Sequence, residues 1–227
     1  MATGDAIRNV MDYDKARFNM VESQVRTWEV LDAGILALLF KVKREDFVPP
    51  AYRSLAFVDM EIPIGQGEVM LAPKLEARML QELAVQPGDT VLEVGTGTGY
   101  TAALLGMLAG TVHTVEIHQA LHESATRNLR RSGLGNVTTH LGNAAAGWKP
   151  QAPYDAIVLT GSVPLLADAF KQQLKVGGRL VVVEGKAPVM TAKRIVRTTE
   201  DGYTVTGLFE TCIPSLCNAP QPDRFEF

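Results

Sequence analysis

The stretch Thr90-Val91-Leu92-Glu93-Val94-Gly95-Thr96-Gly97-Thr98-Gly99-Tyr100 constrains the fold of this chain more than any other. Thr90 to Val94 is a β-rich run. It breaks into a loop with glycine at every second position, and an apolar helical pattern begins at about Tyr100. A strand feeding a Gly-rich turn that opens a helix is how α/β proteins hold nucleotide-like ligands. Glycine lets the backbone turn sharply and approach a ligand with no Cβ in the way. The helix that follows points unpaired N–H groups at whatever sits on the loop. The spacing narrows the ligand. The dinucleotide fingerprint G-x-G-x-x-G needs glycine where Tyr100 stands, and no lysine follows to make a G-x-x-x-x-G-K phosphate loop.

The flanking pattern predicts what this stretch is embedded in. Strand-like runs recur at Thr111–Ile117, Asn136–Leu141, Tyr154–Leu159 and Arg179–Glu184. Helical patterns lie between them at 101–109, at His118–Arg131 with its stop at Ser132-Gly133, and at Pro164–Leu174 ahead of Gly177-Gly178. This β–α alternation predicts an α/β fold with a doubly wound, mostly parallel sheet. The tail changes character. Lys193–Thr198 and Tyr203–Phe209 flank Asp201-Gly202, a hairpin signal.

Ahead of the glycine stretch the chain reads as helical. Residues 1–12 look frayed or tag-like. Phe18, Val21, Val25 and Trp28 recur at helical spacing, Asp32 is placed to cap a second helix to about Lys41, and Ala51–Phe57 reads as a short helix after Pro49-Pro50. Residues 61–73 suit a loop or short strands, and Lys74–Leu83 a helix with Leu75, Met79, Leu80 and Leu83 on one face. The expected organisation is a helical cap over 1–60 packed on a main domain over 61–227, as one structural unit.

Composition excludes several classes. At 227 residues, 46% hydrophobic and 21% charged, the chain is ordinary globular material. A net charge of −3 argues against neutralising many phosphates, so no nucleic-acid partner is expected; the pairs Lys43-Arg44 and Arg130-Arg131 read as solvated surface. The longest apolar runs, such as Ile35–Phe40, fall far short of the ~18–20 residues of a membrane span, and no secretory signal is visible. Cys212 and Cys217 have no second Cys or His pair in sequence to complete a metal site, so no metal is expected; reduced structural thiols in the cytoplasm is the reading.

Four features fall just after strands, where open α/β sheets place ligands. They are the glycine loop, Glu116 at the end of the second strand, Gly142-Asn143-Ala144 after the third, and Thr160-Gly161-Ser162 after the fourth. Glu116 can accept both hydroxyls of a ribose. Asn143 offers a side-chain carbonyl to an amino group or simply makes a turn. The hydroxyls of Thr160 and Ser162 either orient a substrate or cap the helix that follows.

The run Glu93-x-Gly95-x-Gly97-x-Gly99 resembles the first motif of S-adenosylmethionine (SAM)-dependent methyltransferases, and an antiparallel hairpin closing a parallel sheet is how those enzymes end. One branch is closer. Gln66-Gly67-Glu68-Val69-Met70-Leu71-Ala72-Pro73 resembles protein-L-isoaspartate O-methyltransferases, as do Arg44-Glu45-Asp46-Phe47-Val48-Pro49, Ala51-Tyr52, Gln86-Pro87-Gly88-Asp89, Gly147-Trp148 with Pro153-Tyr154-Asp155, and Gln173 to Val181. The resemblance covers about residues 15–185.

It implies methyl transfer from SAM, leaving S-adenosylhomocysteine, to isoaspartyl carboxylates of damaged proteins. It implies a cofactor site of Glu93, Gly95, Thr96, Gly97, Gly99, Tyr100, Glu116, Ile117, Asn143, Ala144 and Thr160, with Thr160 and Ser162 also facing the substrate. The family assigns to the active site a serine in a Thr-Ile-Ser segment; this chain has Val69-Met70-Leu71, so Leu71 takes its place. Leucine cannot hydrogen-bond, which keeps two alternatives open: the same fold acting on another protein or small-molecule acceptor, and a SAM-binding partner protein without catalysis. Amino-directed nucleic-acid methylation fits poorly, because Thr160-Gly161-Ser162-Val163-Pro164 stands where an Asp/Asn-Pro-Pro-Tyr/Phe motif belongs.

Overall fold

The computed structural model describes residues 11–222; the expected frayed start falls largely outside them. Helices α1 (Tyr13–Met20) and α2 (Ala33–Lys41) lead, followed by the hairpin β1 (Ile62–Gly65) and β2 (Glu68–Met70). Helix α3 (Pro73–Leu83) then precedes β3 (Thr90–Val94), α4 (Tyr100–Leu108), β4 (Thr111–Glu116), α5 (Gln119–Arg131), β5 (Val137–Leu141) and β6 (Tyr154–Leu159). The chain ends with α6 (Asp168–Gln172), β7 (Leu174–Lys186), β8 (Val189–Arg197) and β9 (Tyr203–Thr211). Seven strands form one sheet in the order β5-β4-β3-β6-β7-β8-β9. The pairs from β5 through β7 are parallel; β8 and β9 are antiparallel additions.

The order reverses between β3 and β6. From β3 the chain crosses outward to β4 and β5, then returns to lay β6 on the other side of β3. Neighbouring βα loops leave this point in opposite directions, which opens a crevice beyond the carboxyl ends of the strands. Pleat alternation puts Val91 and Leu92 into separate apolar clusters on the two faces. The larger cluster joins Val91 and Val112 to α2, α3, α4 and the N-terminal segment through Val25, Leu39, Leu80 and Leu104. The smaller gathers Tyr154, Phe170, Leu174 and Val182.

Local chemistry explains most boundaries. Asp32 caps α2 by accepting from the Ile35 N–H at 2.9 Å, and Pro73 starts α3 where its missing N–H has no partner to lose. Five expectations need correction. Phe18 is 55% exposed, while Met20, Val21 and Val25 are buried. A π-helical turn over Val21–Val25 inserts extra arc and rotates the apolar face away from Phe18. The segment after Pro50 is a 3₁₀ helix, Pro50–Leu55.

The helix expected over Pro164–Leu174 shrinks to α6. Val163 N–H donates to Val183 O at 2.9 Å and Val163 O accepts from Gly185 N–H at 3.0 Å, while Leu166 N–H donates to Glu184 Oε1 at 3.1 Å. The neighbouring strand takes the backbone groups a helix would need. The fifth long strand begins at Leu174, with Gly177 at φ +83° forming a bulge within it rather than ending a helix. Arg44, read as surface, is fully buried.

Candidate functional site

The glycine loop lies at the switch point and is gripped from three sides. Gly95 N–H donates to Val115 O at 2.9 Å. Thr160 Oγ1 donates toward Gly95 O at 2.6 Å and Val94 O at 3.0 Å. The Glu116 carboxylate accepts from Gly97 N–H at 2.8 Å and from His118 N–H at 3.0 Å. Gly95 has φ +98°, and a Cβ there would run into Thr160 Oγ1. Glycine is therefore required by both conformation and space.

Beyond the loop lies a cleft of about 640 Å³, including its solvent-open part. Of the residues expected at the site, Leu71, Gly95, Gly97, Glu116, Ile117, Asn143, Ala144 and Thr160 line it. Asn143 makes a turn as well, its Oδ1 accepting from Ala145 N–H at 3.0 Å. One lone pair of that carbonyl is used and one is left for a ligand donor.

The remaining expected residues sit behind the cleft surface. Ser162 is fully buried; its hydroxyl reaches Ile213 O at 3.0 Å and Ser215 Oγ at 3.2 Å. It neither caps α6, whose N-cap is Ala167, nor borders the cleft, because the C-terminal segment folds over it. Thr160 likewise caps nothing. Thr96 Oγ1, Thr114 Oγ1 and Glu93 Oε2 form a buried chain with 2.6 Å links. Burial pushes the Glu93 carboxyl up to about 8, against the lowering effect of the Thr114 hydrogen bond. Its Oε1 has no hydrogen-bond partner among the described residues. Glu93 thus props the loop from beneath, and Gly99, at φ +88°, is the N-cap of α4.

Tyr100 faces the second wall. Its ring packs edge-on against Phe47 at 5.5 Å and lies under the Arg44 guanidinium at 5.0 Å. Arg44 also pairs with Glu76 and donates to Ala56 O at 2.9 Å and Leu71 O at 2.6 Å. Thr101 Oγ1 donates to Glu76 Oε1 at 3.2 Å. Desolvation drives the Glu76 pKa up, and Arg44 opposes it. Leu71, 4% exposed, lines the cleft with a side chain that has no hydrogen-bonding group, while its carbonyl accepts from Arg44.

The sequence reading missed Glu68, His118, Leu216 and Cys217, which also line the cleft. Leu216 packs on the glycine loop and would be 2.8 Å from a Cβ on Gly161. His118 was visible as the neighbour of Ile117; no local signal marks Leu216 or Cys217, which arrive from the far end of the chain. Cys217 Sγ donates to Glu68 Oε1 at 3.2 Å. That carboxylate, followed by desolvation, pushes the thiol pKa up. Cys212 is exposed rather than a buried structural thiol.

A model of the protein-L-isoaspartate(D-aspartate) O-methyltransferase family matches residues 17–213 of this chain, further toward the C-terminus than the sequence motifs reach. The chain is 42% identical over 183 residues to protein-L-isoaspartate O-methyltransferase 1 of Rhodopseudomonas palustris (strain HaA2), covering 81% of this chain and 74% of that protein. It is 40% identical over 194 residues to protein-L-isoaspartate O-methyltransferase of Methylorubrum extorquens (strain PA1), covering 86% and 85%. A solved protein-L-isoaspartate O-methyltransferase superposes with TM-score 0.77 at 25% identity, over 91% of this chain and 66% of that one. The chain thus spans about two thirds of that structure's length. A Plasmodium falciparum structure in complex with S-adenosyl-L-homocysteine has the same fold, with TM-score 0.76 at 18% identity over 92% of this chain and 99% of that one.

Proposed function

The chain belongs to the protein-L-isoaspartate(D-aspartate) O-methyltransferase family, and from that membership we propose that it methylates isoaspartyl carboxylates of proteins with SAM as methyl donor. The observation that carries the reading is the cleft at the β3/β6 switch point, floored by the Gly95–Gly99 loop and closed at one end by Glu116. SAM, when bound, supplies an electrophilic methyl on its sulfonium. Gly95 and Gly97 offer backbone at close approach. Glu116 would hold the ribose hydroxyls, and Asn143 and Ala144 would hold the base.

The acceptor side needs little chemistry of its own. A carboxylate is ionised at pH 7 and attacks without a general base. The protein's work is to place it in line and to exclude water. Thr160 acts by fixing the glycine loop through its bonds to Val94 O and Gly95 O. Leu71 supplies an apolar wall in place of a hydroxyl, so the acceptor is oriented by shape. We treat the segment over 1–60 as a cap sharing one core with 61–227, supported by the cluster that joins Val25 and Leu39 to Val91. We assign the protein to the cytoplasm, supported by its unpaired thiols. Among the described residues no helix is long and apolar enough to cross a membrane. The net charge of −3 supports protein rather than nucleic-acid substrates.

The test is transfer of labelled methyl from SAM to an isoaspartyl peptide, with the matched aspartyl peptide as control. Label on the first alone is expected; none above blank overturns the proposal. Leu71→Ser is expected to raise isoaspartyl turnover about 10- to 100-fold, from a charged hydrogen bond of roughly 1.5–3 kcal/mol. The buried Leu71 side chain on the cleft wall also favours a second reading, a less polar acceptor. Label entering a different acceptor in cell extract, with no response to Leu71→Ser, would select it.

A further inference from the structure

Three side chains from three distant segments converge on the rim of the cleft. Glu68 comes from the β1–β2 hairpin, His118 from the turn into α5, and Cys217 from the segment after β9. Glu68 Oε1 and His118 Nε2 are 3.3 Å apart, Cys217 Sγ and Glu68 Oε1 3.2 Å, and Cys217 Sγ and His118 Nε2 3.7 Å. Carboxylate oxygen, imidazole nitrogen and thiolate are the three ligand types zinc accepts. Bond lengths of ~2.0–2.1 Å to oxygen and nitrogen and ~2.3 Å to sulfur give a tetrahedron with edges of about 3.4 Å (O to N) and 3.6 Å (S to N or O). The three observed separations lie close to those edges, so one ion satisfies all three groups with only small side-chain shifts. Glu68 and His118 are each about a quarter exposed, at 28% and 26%, which leaves a path for an ion from solvent.

We propose that Glu68, His118 and Cys217 form a binding site for a divalent zinc-like cation at the mouth of the cleft. On binding, the Cys217 thiol releases its proton to solvent and His118 ligates through a neutral Nε2. One thiolate and one carboxylate then balance the two charges of the ion. Three protein ligands leave the fourth position to water or to a ligand in the cleft. The site ties the C-terminal segment to the hairpin and to the β4–α5 turn. Adjacent Leu216 packs over Gly95 and Gly161, so the ion fixes the cover of the glycine loop as well.

The test uses the full chain, stripped with chelator and titrated with Co²⁺ as a spectroscopic stand-in and with Zn²⁺ by calorimetry. One equivalent of Co²⁺ is expected to give tetrahedral visible bands and a thiolate-to-cobalt charge-transfer band, both displaced by Zn²⁺. Cys217→Ser should remove the charge-transfer band and weaken Zn²⁺ by roughly 100-fold, about one ligand's share of the binding free energy of a structural zinc site. Glu68→Gln should weaken Zn²⁺ while keeping the band, and Cys212→Ser should change neither. No saturable binding at one equivalent, or a band that survives Cys217→Ser and disappears in Cys212→Ser, would overturn the site. Unchanged thermal midpoints of the stripped variants distinguish ligand loss from unfolding.

Discussion

The cleft has two sides built on different principles. On the floor, the Gly95–Gly99 loop is held by partners at strand ends: Val115 O, the Thr160 hydroxyl and the Glu116 carboxylate. On the opposite wall, Leu71 lines the cleft with a side chain that has no hydrogen-bonding group, and its carbonyl is one of the partners of buried Arg44, with Glu76, Tyr100 and the Ala56 carbonyl. Hydrogen bonds from strand ends fix the floor; a buried ion pair fixes the wall. A buried ion pair such as Arg44–Glu76 contributes little net stability, but removing one partner leaves a stranded charge. The wall's rigidity therefore depends on one arginine, and the floor's on the absence of a Cβ.

Three substitutions would break or sharpen this contrast. Arg44→Met should have the largest effect. It strands Glu76 and leaves the Ala56 and Leu71 carbonyls without their donor, at a cost of about 3–5 kcal/mol. For a chain of this length that lowers the melting temperature by roughly 10 °C, at about 2–4 °C per kcal/mol. Adding Glu76→Leu should recover part of the loss; no recovery would show that the carbonyl bonds, not the ion pair, hold the wall.

Gly95→Ala should act on the floor alone. A Cβ at φ +98° meets Thr160 Oγ1 and displaces the loop. SAM affinity by calorimetry should fall at least ~100-fold, about 2.7 kcal/mol, with a smaller loss of fold stability. Retained affinity would mean that the loop adapts rather than being preorganised.

Glu93→Gln should have the smallest effect, visible as a pH dependence. The folded pKa of Glu93 is raised from the ordinary 4.5 to about 8 by burial. Between these values the folded state holds a proton that the unfolded state has released. Its contribution is complete below about pH 4.5 and is lost as pH rises toward 8. The variant should flatten that decline and exceed the parent near pH 7–8 in urea unfolding. Parallel stability curves for the two proteins would refute the buried-acid account.

The same contrast governs what could be read in advance. Gly95, Gly97, Glu116, Asn143 and Thr160 were legible because each follows a strand, and parallel strands bring their ends to one edge whatever the side chains do. Asp32 and Pro73 were legible as helix signals because capping is local chemistry. Ser162 carried the same signal as Thr160 but a different fate, since the segment from Ile213 to Leu216 folds over it. Arg44 looked like a surface charge because nothing nearby in sequence announces Glu76 or Tyr100. The helix expected after Pro164 gave way to backbone pairing with β7, a partner invisible to a local pattern.

The sequence by itself determined the α/β order, the glycine loop at its centre and the position of Leu71. Periodicity, turn chemistry and strand-end placement act over a few residues and are written where they act. The tertiary structure alone decided that Arg44 is buried against Glu76 and the Leu71 carbonyl, that Glu93 is a buried acid bonded to Thr114 beneath the loop, and that Glu68, His118 and Cys217 meet. Those outcomes depend on burial and on contacts between segments up to 149 positions apart. Only the closed fold brings such groups within reach and removes the water that would otherwise separate them.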